Sequence, residues 1–302
     1  MRIRVFYSDH FALPLPAGHR FPMAKYRLLR ERVAALAGET LAEAPRADDA
    51  ALLLAHSPEY VERMSNGGLT ADEIRAIGFP WSPEMAERAR RSTGATIAAL
   101  VHAIETGGCG INLAGGTHHA FADHGEGFCC YNDAAVAARV ALRDFAAQGV
   151  ERILICDLDV HQGNGTACIL AGDPGVFTFS MHGARNYPVR KERSSLDIEL
   201  PDGTTDGAYL ERLARHLPAI LRDFRPHAII YLAGADPYAG DRLGRLALSK
   251  AGLAARDRMV FDAARSSGLP IAVTMAGGYA EEVVDIVDIH FATVSTAFEV
   301  FQ

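Results

Sequence analysis

The sequence lacks several features that define whole classes of protein. Its 302 residues contain five cysteines, an odd number, and no Cys-x-x-Cys pair. This usage argues against a disulfide framework and against a structural zinc finger, and it favours a reducing, cytoplasmic location. No apolar run approaches the roughly 20 residues that a membrane-spanning helix needs. The first apolar stretch turns polar at Ser8 and Asp9, which is too early for the core of a signal peptide.

Basic residues are fewer than acidic residues. The chain has 30 Lys and Arg residues against 37 Asp and Glu residues, which gives a formal charge of −7. A net acidic chain is a poor candidate for binding nucleic acid through its overall field. Repeats, low-complexity tracts and Gly/Ser-rich linkers are also absent from the sequence. We therefore expect residues 1–302 to form one domain with an ample core and without a nucleic-acid partner.

The sequence does contain a recurring strand pattern. Short apolar runs without alternation are each followed at once by glycine or polar residues, at 111–114, 153–156, 176–179, 228–233 and 271–275. Helical stretches are predicted between these runs, near 132–148, 206–223 and 249–267. Such runs, joined by helical crossovers, are typical of a parallel sheet that is buried on both faces. The pattern predicts an α/β fold.

Residues that can bind a metal follow these apolar runs. In open parallel sheets, ligands bind beyond the carboxyl ends of the strands. Alternate residues of an extended chain point to the same side, so Asp157, Asp159 and His161 are expected to face one pocket. Burying two carboxylates and an imidazole there costs free energy unless a cation binds them. The alternative is that the three side chains form a hydrogen-bonded structural network. Asp236 follows another run and is the candidate third ligand beside Asp159 and His161, an arrangement typical of catalytic zinc.

Three further residues are candidates for acid–base chemistry at this pocket. His118 and His119 are natural general acid and base candidates near a metal. Each needs a partner for its second ring nitrogen, and Asp157 and Asn164 are available. A carboxylate partner favours the imidazolium more than an amide partner does, so the two histidines are expected to differ in pKa. Tyr279 can donate a hydrogen bond to a developing oxyanion.

With these residues placed, the sequence resembles the zinc-dependent histone deacetylase family, in particular its bacterial and class IV-like members. The resemblance covers nearly the whole chain, and its motifs are specific when taken in this order. The motifs are LPLPAGHRFPMAKY from Leu13, AHSPEYV from Ala55, GGTHHA from Gly115, GFCCYND from Gly127, DLDVHQGNGT from Asp157, SMH from Ser180, ADPYAGDRLG from Ala235 and AGGY from Ala276.

The resemblance implies a fold and a reaction. The fold would be of the arginase/deacetylase type, with a central parallel sheet of about eight strands flanked by helices on both faces. The reaction would be hydrolysis of the amide of an Nε-acyl-lysine, where the acyl group is acetyl or a longer fatty acyl. One Zn²⁺ per chain, with Fe²⁺ as the alternative, would be bound by Asp159, His161 and Asp236. The metal would polarise the amide carbonyl and activate a water.

The same resemblance implies roles for other residues. His119 would be the general base and later the proton donor to the leaving amine. His118, paired with Asp157, would be an electrostatic partner, and Tyr279 would hold the oxyanion. The tunnel for the lysine stem would be lined by Phe128, Tyr187, Gly127 and Gly278. A structural K⁺ site would use Asp157, Asp159, His161, Ser180 and Met181.

The residues also bear on rival activities. Asn164 stands where class I relatives carry an aspartate, so the second histidine–aspartate pair of those relatives is missing. A hydrolase of acetylated polyamines or other small acylated amines would share the same catalytic residues and stays open. An arginase-like ureohydrolase is disfavoured, because two Mn²⁺ ions need more acids than this pocket offers. A non-catalytic acyl-lysine reader would be expected to have lost a ligand, a histidine or the tyrosine. The expected partner is therefore an acyl-lysine protein or peptide, or a small acylated amine.

Overall fold

The predicted parallel sheet lies at the centre of the molecule. A computed structural model describes residues 2–11, 13–16 and 18–302. In that part of the chain eight strands form one sheet, and every neighbouring pair is parallel. The strands are β1 (Ile3–Tyr7), β2 (Leu41–Glu43), β3 (Cys109–Asn112), β4 (Ile153–Asp157), β5 (Val176–Gly183), β6 (Leu196–Leu200), β7 (Ala228–Leu232) and β8 (Ile271–Thr274).

The strand order brings four strand ends together. The order is β2-β1-β3-β8-β7-β4-β5-β6, so β3, β8, β7 and β4 are neighbours. Their last residues are in register, with Asn112 beside Thr274 and Leu232 beside both Thr274 and Asp157. Neighbouring strands lie about 4.8 Å apart, so the loops after these four strands start within about 15 Å of one another. The loops that carry the candidate residues therefore leave the sheet side by side.

Helices cover both faces of the sheet. Those of the described residues are α1 (Ala24–Ala37), α2 (Asp49–Leu52), α3 (Pro58–Asn66), α4 (Ala71–Ile77), α5 (Pro83–Thr106), α6 (Asp133–Asp144), α7 (Asn164–Ile169), α8 (Asp206–Phe224), α9 (Lys250–Ser266) and α10 (Val283–Phe301). Helices α1, α8, α9 and α10 pack on one face, and α2 to α7 on the other. Leu154 and Cys156 of β4 point into the first layer, and Ile153 and Ile155 into the second. This two-sided burial explains the apolar runs without alternation.

Helix α5 shows how local signals determine the ends of a helix. The hydroxyl of Ser82 accepts a 3.1 Å hydrogen bond from the amide of Met85, and Pro83 occupies the first helical position. The helix ends at Thr106, and Gly107 follows in the left-handed conformation that glycine adopts without strain. None of the helices in the described residues combines the length and the apolar character that a membrane crossing requires.

Two strands have bounds that differ from the predicted ones by two residues or more. Strand β3 ends at Asn112 and not at 114, because the Asn112 side chain accepts a 2.9 Å hydrogen bond from the amide of Ala114 and turns the chain out of the sheet. Strand β5 continues beyond Phe179 to Gly183, since its second half pairs with β6. The edge strands β2 and β6 and helix α10 have no counterpart among the predicted elements.

Candidate active site

The loop after β4 has the alternation that the sequence predicts. Leu158 and Val160 are fully buried in the apolar layer beneath the sheet end. Asp157, Asp159 and His161 point the other way, into a polar pocket at the carboxyl ends of the central strands. The amide of His161 donates a 2.9 Å hydrogen bond to Oδ1 of Asp159, which holds the two side chains at a fixed spacing.

A cluster of three possible metal ligands lies in this pocket. Each of Asp159, His161 and Asp236 offers one ligand atom, and these three atoms lie within 4.8 Å of one another. All three residues are buried. Nδ1 of His161 is 3.0 Å from Oδ1 of Asp159 and 3.2 Å from Oδ2 of Asp236. The structure therefore brings together the three residues that the sequence predicts as metal ligands.

The donor set fits a divalent cation. Oδ2 of Asp236 is buried and has no hydrogen-bond partner among the described residues, and a single N–H of His161 cannot serve both neighbouring carboxylates. Burial, followed by the negative charge of Asp159, raises the pKa of Asp236 to about 7. Two buried carboxylates that oppose each other's ionisation, together with one imidazole, need a cation to be stable in charged form. Zn²⁺ accepts this combination of oxygen and nitrogen ligands.

The loop after β8 closes over the cluster. The amide of Gly277 donates a 2.8 Å hydrogen bond to Oδ2 of Asp159. A Cβ at position 277 would lie 1.9 Å from Oδ2 of Asp236, so only glycine allows the backbone to approach the carboxylates. Asp241 anchors the next part of the loop, because its Oδ2 accepts a 2.6 Å hydrogen bond from the amide of Tyr279.

The two adjacent histidines have different partners. Nδ1 of His118 lies 2.7 Å from Oδ2 of Asp157, and Nδ1 of His119 lies 2.7 Å from Oδ1 of Asn164. Burial alone lowers the pKa of His118, but the carboxylates of Asp157 and Asp159 outweigh it and raise the pKa to about 9. Burial lowers the pKa of His119 well below 6.5, and the neighbouring histidines add to that effect. Near neutral pH, therefore, His118 is an imidazolium and His119 is a neutral base.

Tyr279 also lies next to the cluster. Its ring centroid is 6.4 Å from that of His161, and the side chain is buried. Burial raises the pKa of Tyr279 well above 10, and the charges of Asp236 and Asp159 raise it further. The phenol therefore stays protonated and is available as a hydrogen-bond donor.

A cavity leads from the surface to the metal ligands. The lining of its mouth is largely aromatic and contains Arg20, His119, Gly127, Phe128, His161, Tyr187, Leu243 and Tyr279. Three of the four residues predicted to line the tunnel are in this set. Gly278 is not, because its Cα faces Ile286 of α10 and its carbonyl accepts a hydrogen bond from Lys25. Its place in the tunnel stays a prediction.

Comparison with known proteins decides the family. The sequence profile of the histone deacetylase domain matches residues 19–294. The chain belongs to the histone deacetylase family. A histone deacetylase-like amidohydrolase of Pseudomonas aeruginosa is 34% identical over 292 residues, which are 90% of this chain and 75% of that protein. An uncharacterised protein of Picosynechococcus sp. is 44% identical over 293 residues, which are 96% of each chain.

A solved structure supports the same fold. The crystal structure of an HDAC homologue from Aquifex aeolicus matches with a TM-score of 0.84 over 99% of this chain and 84% of that one, at 22% identity. The eight-stranded sheet with helices on both faces is thus the arginase/deacetylase fold, and the predicted fold class is confirmed. Family membership places the chain among the deacetylase-type hydrolases.

The residues assigned to a potassium site have other contacts in this deacetylase-family chain. The hydroxyl of Ser180 is 2.9 Å from Nδ1 of His182, and Oδ2 of Asp157 is engaged by His118. The side chain of Met181 is buried in the apolar layer. None of these contacts supports a bound K⁺, so the potassium site stays a prediction.

Three residues that support the site were not among the predicted ones. Nδ2 of Asn164 donates a 2.6 Å hydrogen bond to Oε1 of Glu126, and Asp241 holds the Tyr279 loop. Arg256 of α9 is fully buried and donates to the carbonyls of Leu158 and Gly234, in the two loops that carry the metal ligands. Only Asp241 had a sequence signal, since it follows Asp236 within the ADPYAGDRLG motif.

Proposed function

We propose that this chain is a zinc-dependent hydrolase that removes acyl groups from the Nε amine of lysine in peptides or proteins. The observation that carries the proposal is the cluster of Asp159, His161 and Asp236 beside a cavity whose lining includes Asp159 and His161. A neutral histidine and a protonated tyrosine flank that cluster, which is the combination that amide hydrolysis requires.

The reaction adds water across the acyl–nitrogen bond and yields a carboxylic acid and a free amine. Zinc bound by the three ligands would polarise the acyl carbonyl and activate the attacking water. His119 takes a proton from that water through Nε2, since its Nδ1 is occupied by Asn164. The same nitrogen then returns the proton to the lysine amine as the carbon–nitrogen bond breaks.

Two other side chains stabilise the charge that develops on the acyl oxygen and around it. The phenol of Tyr279 donates a hydrogen bond that strengthens as the oxygen becomes negative. His118, held as an imidazolium by Asp157, adds positive charge next to His119. Both groups are fixed before the substrate arrives, so little reorganisation is needed during the reaction.

The mouth of the cavity favours an acyl-lysine over an acetylated polyamine. Phe128 and Tyr187 offer aromatic surface to the methylene stem of a lysine. The described residues of the lining include Arg20 and no carboxylate, so the lining itself offers no acidic partner to the several ammonium groups of a polyamine. An acyl-lysine is neutral along the part that enters.

The test measures zinc content and hydrolysis together. Purified protein should contain about one zinc per chain, as expected for a three-ligand catalytic site. A panel of lysine peptides with acyl chains of increasing length is compared with acetylated polyamines, before and after removal of zinc by a chelator. Asp236→Ala should lose both zinc and turnover, whereas Asp123→Ala, an exposed acid away from the cluster, should keep both. Full activity in metal-free protein, or hydrolysis of polyamines alone, would overturn the proposal.

A further inference from the structure

A chain of hydrogen bonds extends from His119 beyond its immediate partner. Nδ1 of His119 is 2.7 Å from Oδ1 of Asn164, and Nδ2 of Asn164 is 2.6 Å from Oε1 of Glu126. His119 and Asn164 are buried, and Glu126 is half-buried. The proposed general base is thus linked to a carboxylate through one amide.

The carboxylate decides which way the amide faces. An ionised carboxylate only accepts hydrogen bonds, so the NH₂ group of Asn164 must point toward Glu126. The amide oxygen then faces His119 and requires a proton on Nδ1 of that ring. Nε2 is left unprotonated and directed toward the metal pocket, which is the tautomer that a general base needs. Without Glu126 the amide of Asn164 has no such constraint.

The loop that carries Glu126 is itself held in one shape. The amides of Gly127 and Phe128 donate hydrogen bonds of 3.0 and 2.8 Å to the carbonyls of Ala76 and Ile77. Glu126 also forms an isolated antiparallel bridge with Cys129. The position of the carboxylate is therefore set by backbone contacts and not by its flexible side chain alone.

We propose that Glu126 is a positioning residue for catalysis, which selects the base tautomer of His119 by orienting the amide of Asn164. The inference rests on the proposed function of His119 as the general base.

The first experiment replaces the carboxylate by its isosteric amide. In Glu126→Gln the new side chain offers either an oxygen or an NH₂ group to Asn164, so the amide orientation is no longer determined. We expect kcat on an acyl-lysine peptide to fall about tenfold with KM little changed, since a general base contributes about 10²–10⁴-fold and only part of it is lost. Asp123→Asn, an exposed acid in the same loop, is the matched control and should retain the wild-type kcat.

A double variant separates positioning from a merely structural role. Asn164→Asp alone sets two carboxylates against each other at the 2.6 Å contact and should also lower kcat. In Glu126→Gln/Asn164→Asp the new amide donates to the new carboxylate, which accepts from Nδ1 of His119. The double variant should therefore be faster than either single variant. A double variant that is not faster than both single variants, or a Glu126→Gln enzyme with the wild-type kcat, would overturn the inference.

A spectroscopic readout keeps this test separate from that of the proposed function. With ¹⁵N-labelled histidine, the ring nitrogens of His119 in the zinc-loaded wild type should show a protonated Nδ1 and an unprotonated Nε2. Glu126→Gln should show a mixture of the two tautomers, and an unchanged spectrum would contradict the proposal. If no acylated amine is hydrolysed by the wild type, the proposed function fails while this spectrum still decides the role of Glu126.

Discussion

Nδ1 of His118 and Oδ2 of Asp157 lie 2.7 Å apart, and both side chains are buried at the end of β4. The carboxylate keeps the imidazole charged, whereas the next residue, His119, faces an amide and stays neutral. Adjacent residues of the same type thus acquire different charges from their partners, their burial and the charges around them. This difference in charge is the basis of the two proposed roles, in which His119 is the base and His118 is the positive charge beside it.

Replacing Asp157 should expose that dependence. Asp157→Asn keeps the size of the side chain but removes the negative charge that holds His118 as an imidazolium. We expect kcat on an acyl-lysine peptide to fall about 10²-fold, since the charge next to the reacting carbonyl is lost. Zinc content, measured on the same preparation, should not change and serves as the control. An undiminished kcat would mean that the charge of His118 does not matter for turnover.

Tyr279 should contribute to the transition state and not to metal binding. Tyr279→Phe removes one hydroxyl and leaves the ring packing and the metal ligands intact. We expect kcat to fall about 10²-fold with KM little changed, because only the hydrogen bond to the developing oxyanion is lost. Steady-state kinetics and zinc analysis of the purified variant check this. Wild-type turnover in the variant would remove Tyr279 from the mechanism.

The extent to which the site could be predicted depends on how local each signal is. Asp159 and His161 could be predicted from the sequence because an apolar strand end and a two-residue spacing are properties of a few consecutive residues. Glu126 could not be predicted in this way, since its position depends on hydrogen bonds from its loop to Ala76 and Ile77, the last two residues of α4. Arg256 contacts a carbonyl 98 residues earlier in the chain, and a helical arginine is ordinarily solvent-exposed.

The fold shows the same division. Helix α5 has the signals for both of its ends in neighbouring residues, with Ser82 and Pro83 at its start and Gly107 after its last residue. The edge strands β2 and β6 are only partly buried, so they lack the apolar run that marks a central strand. Their existence depends on pairing with a neighbour, which a local pattern does not contain.

Arg256 should support metal binding from behind the site. It donates hydrogen bonds of 3.2 and 2.7 Å to the carbonyls of Leu158 and Gly234, and it is paired with Asp257. Arg256→Lys keeps the charge, but an ammonium does not reproduce the planar fork that spans both loops. We expect zinc affinity, measured by competition with a chelator, to fall about tenfold. Arg258→Ala removes an exposed arginine of the same helix and is the matched control; equal affinity in both variants would contradict the expectation.

Buried neutral histidines away from the metal should make the fold sensitive to acid. His56 is buried between the carbonyl of Phe121 and the amide of Asn132, and burial lowers its pKa to about 4. Above about pH 6.5 neither the folded nor the unfolded chain protonates this group, so its contribution to stability is complete. Below that value the unfolded chain takes up a proton that the folded chain rejects. The free energy of unfolding should fall by about 3 kcal/mol in total as the pH drops from about 6.5 to about 4.

The variant His56→Gln isolates this contribution. Glutamine can donate to Phe121 and accept from Asn132 without titrating, so the variant should lose less stability than the wild type when the pH is lowered. Urea unfolding at pH 7 and pH 5, followed by circular dichroism, gives the loss for each protein. We expect the loss in the variant to be smaller by about 2 kcal/mol, which corresponds to the 1.5 pH units below the unfolded pKa. Equal losses in the two proteins would show that His56 is protonated in the folded state at pH 5.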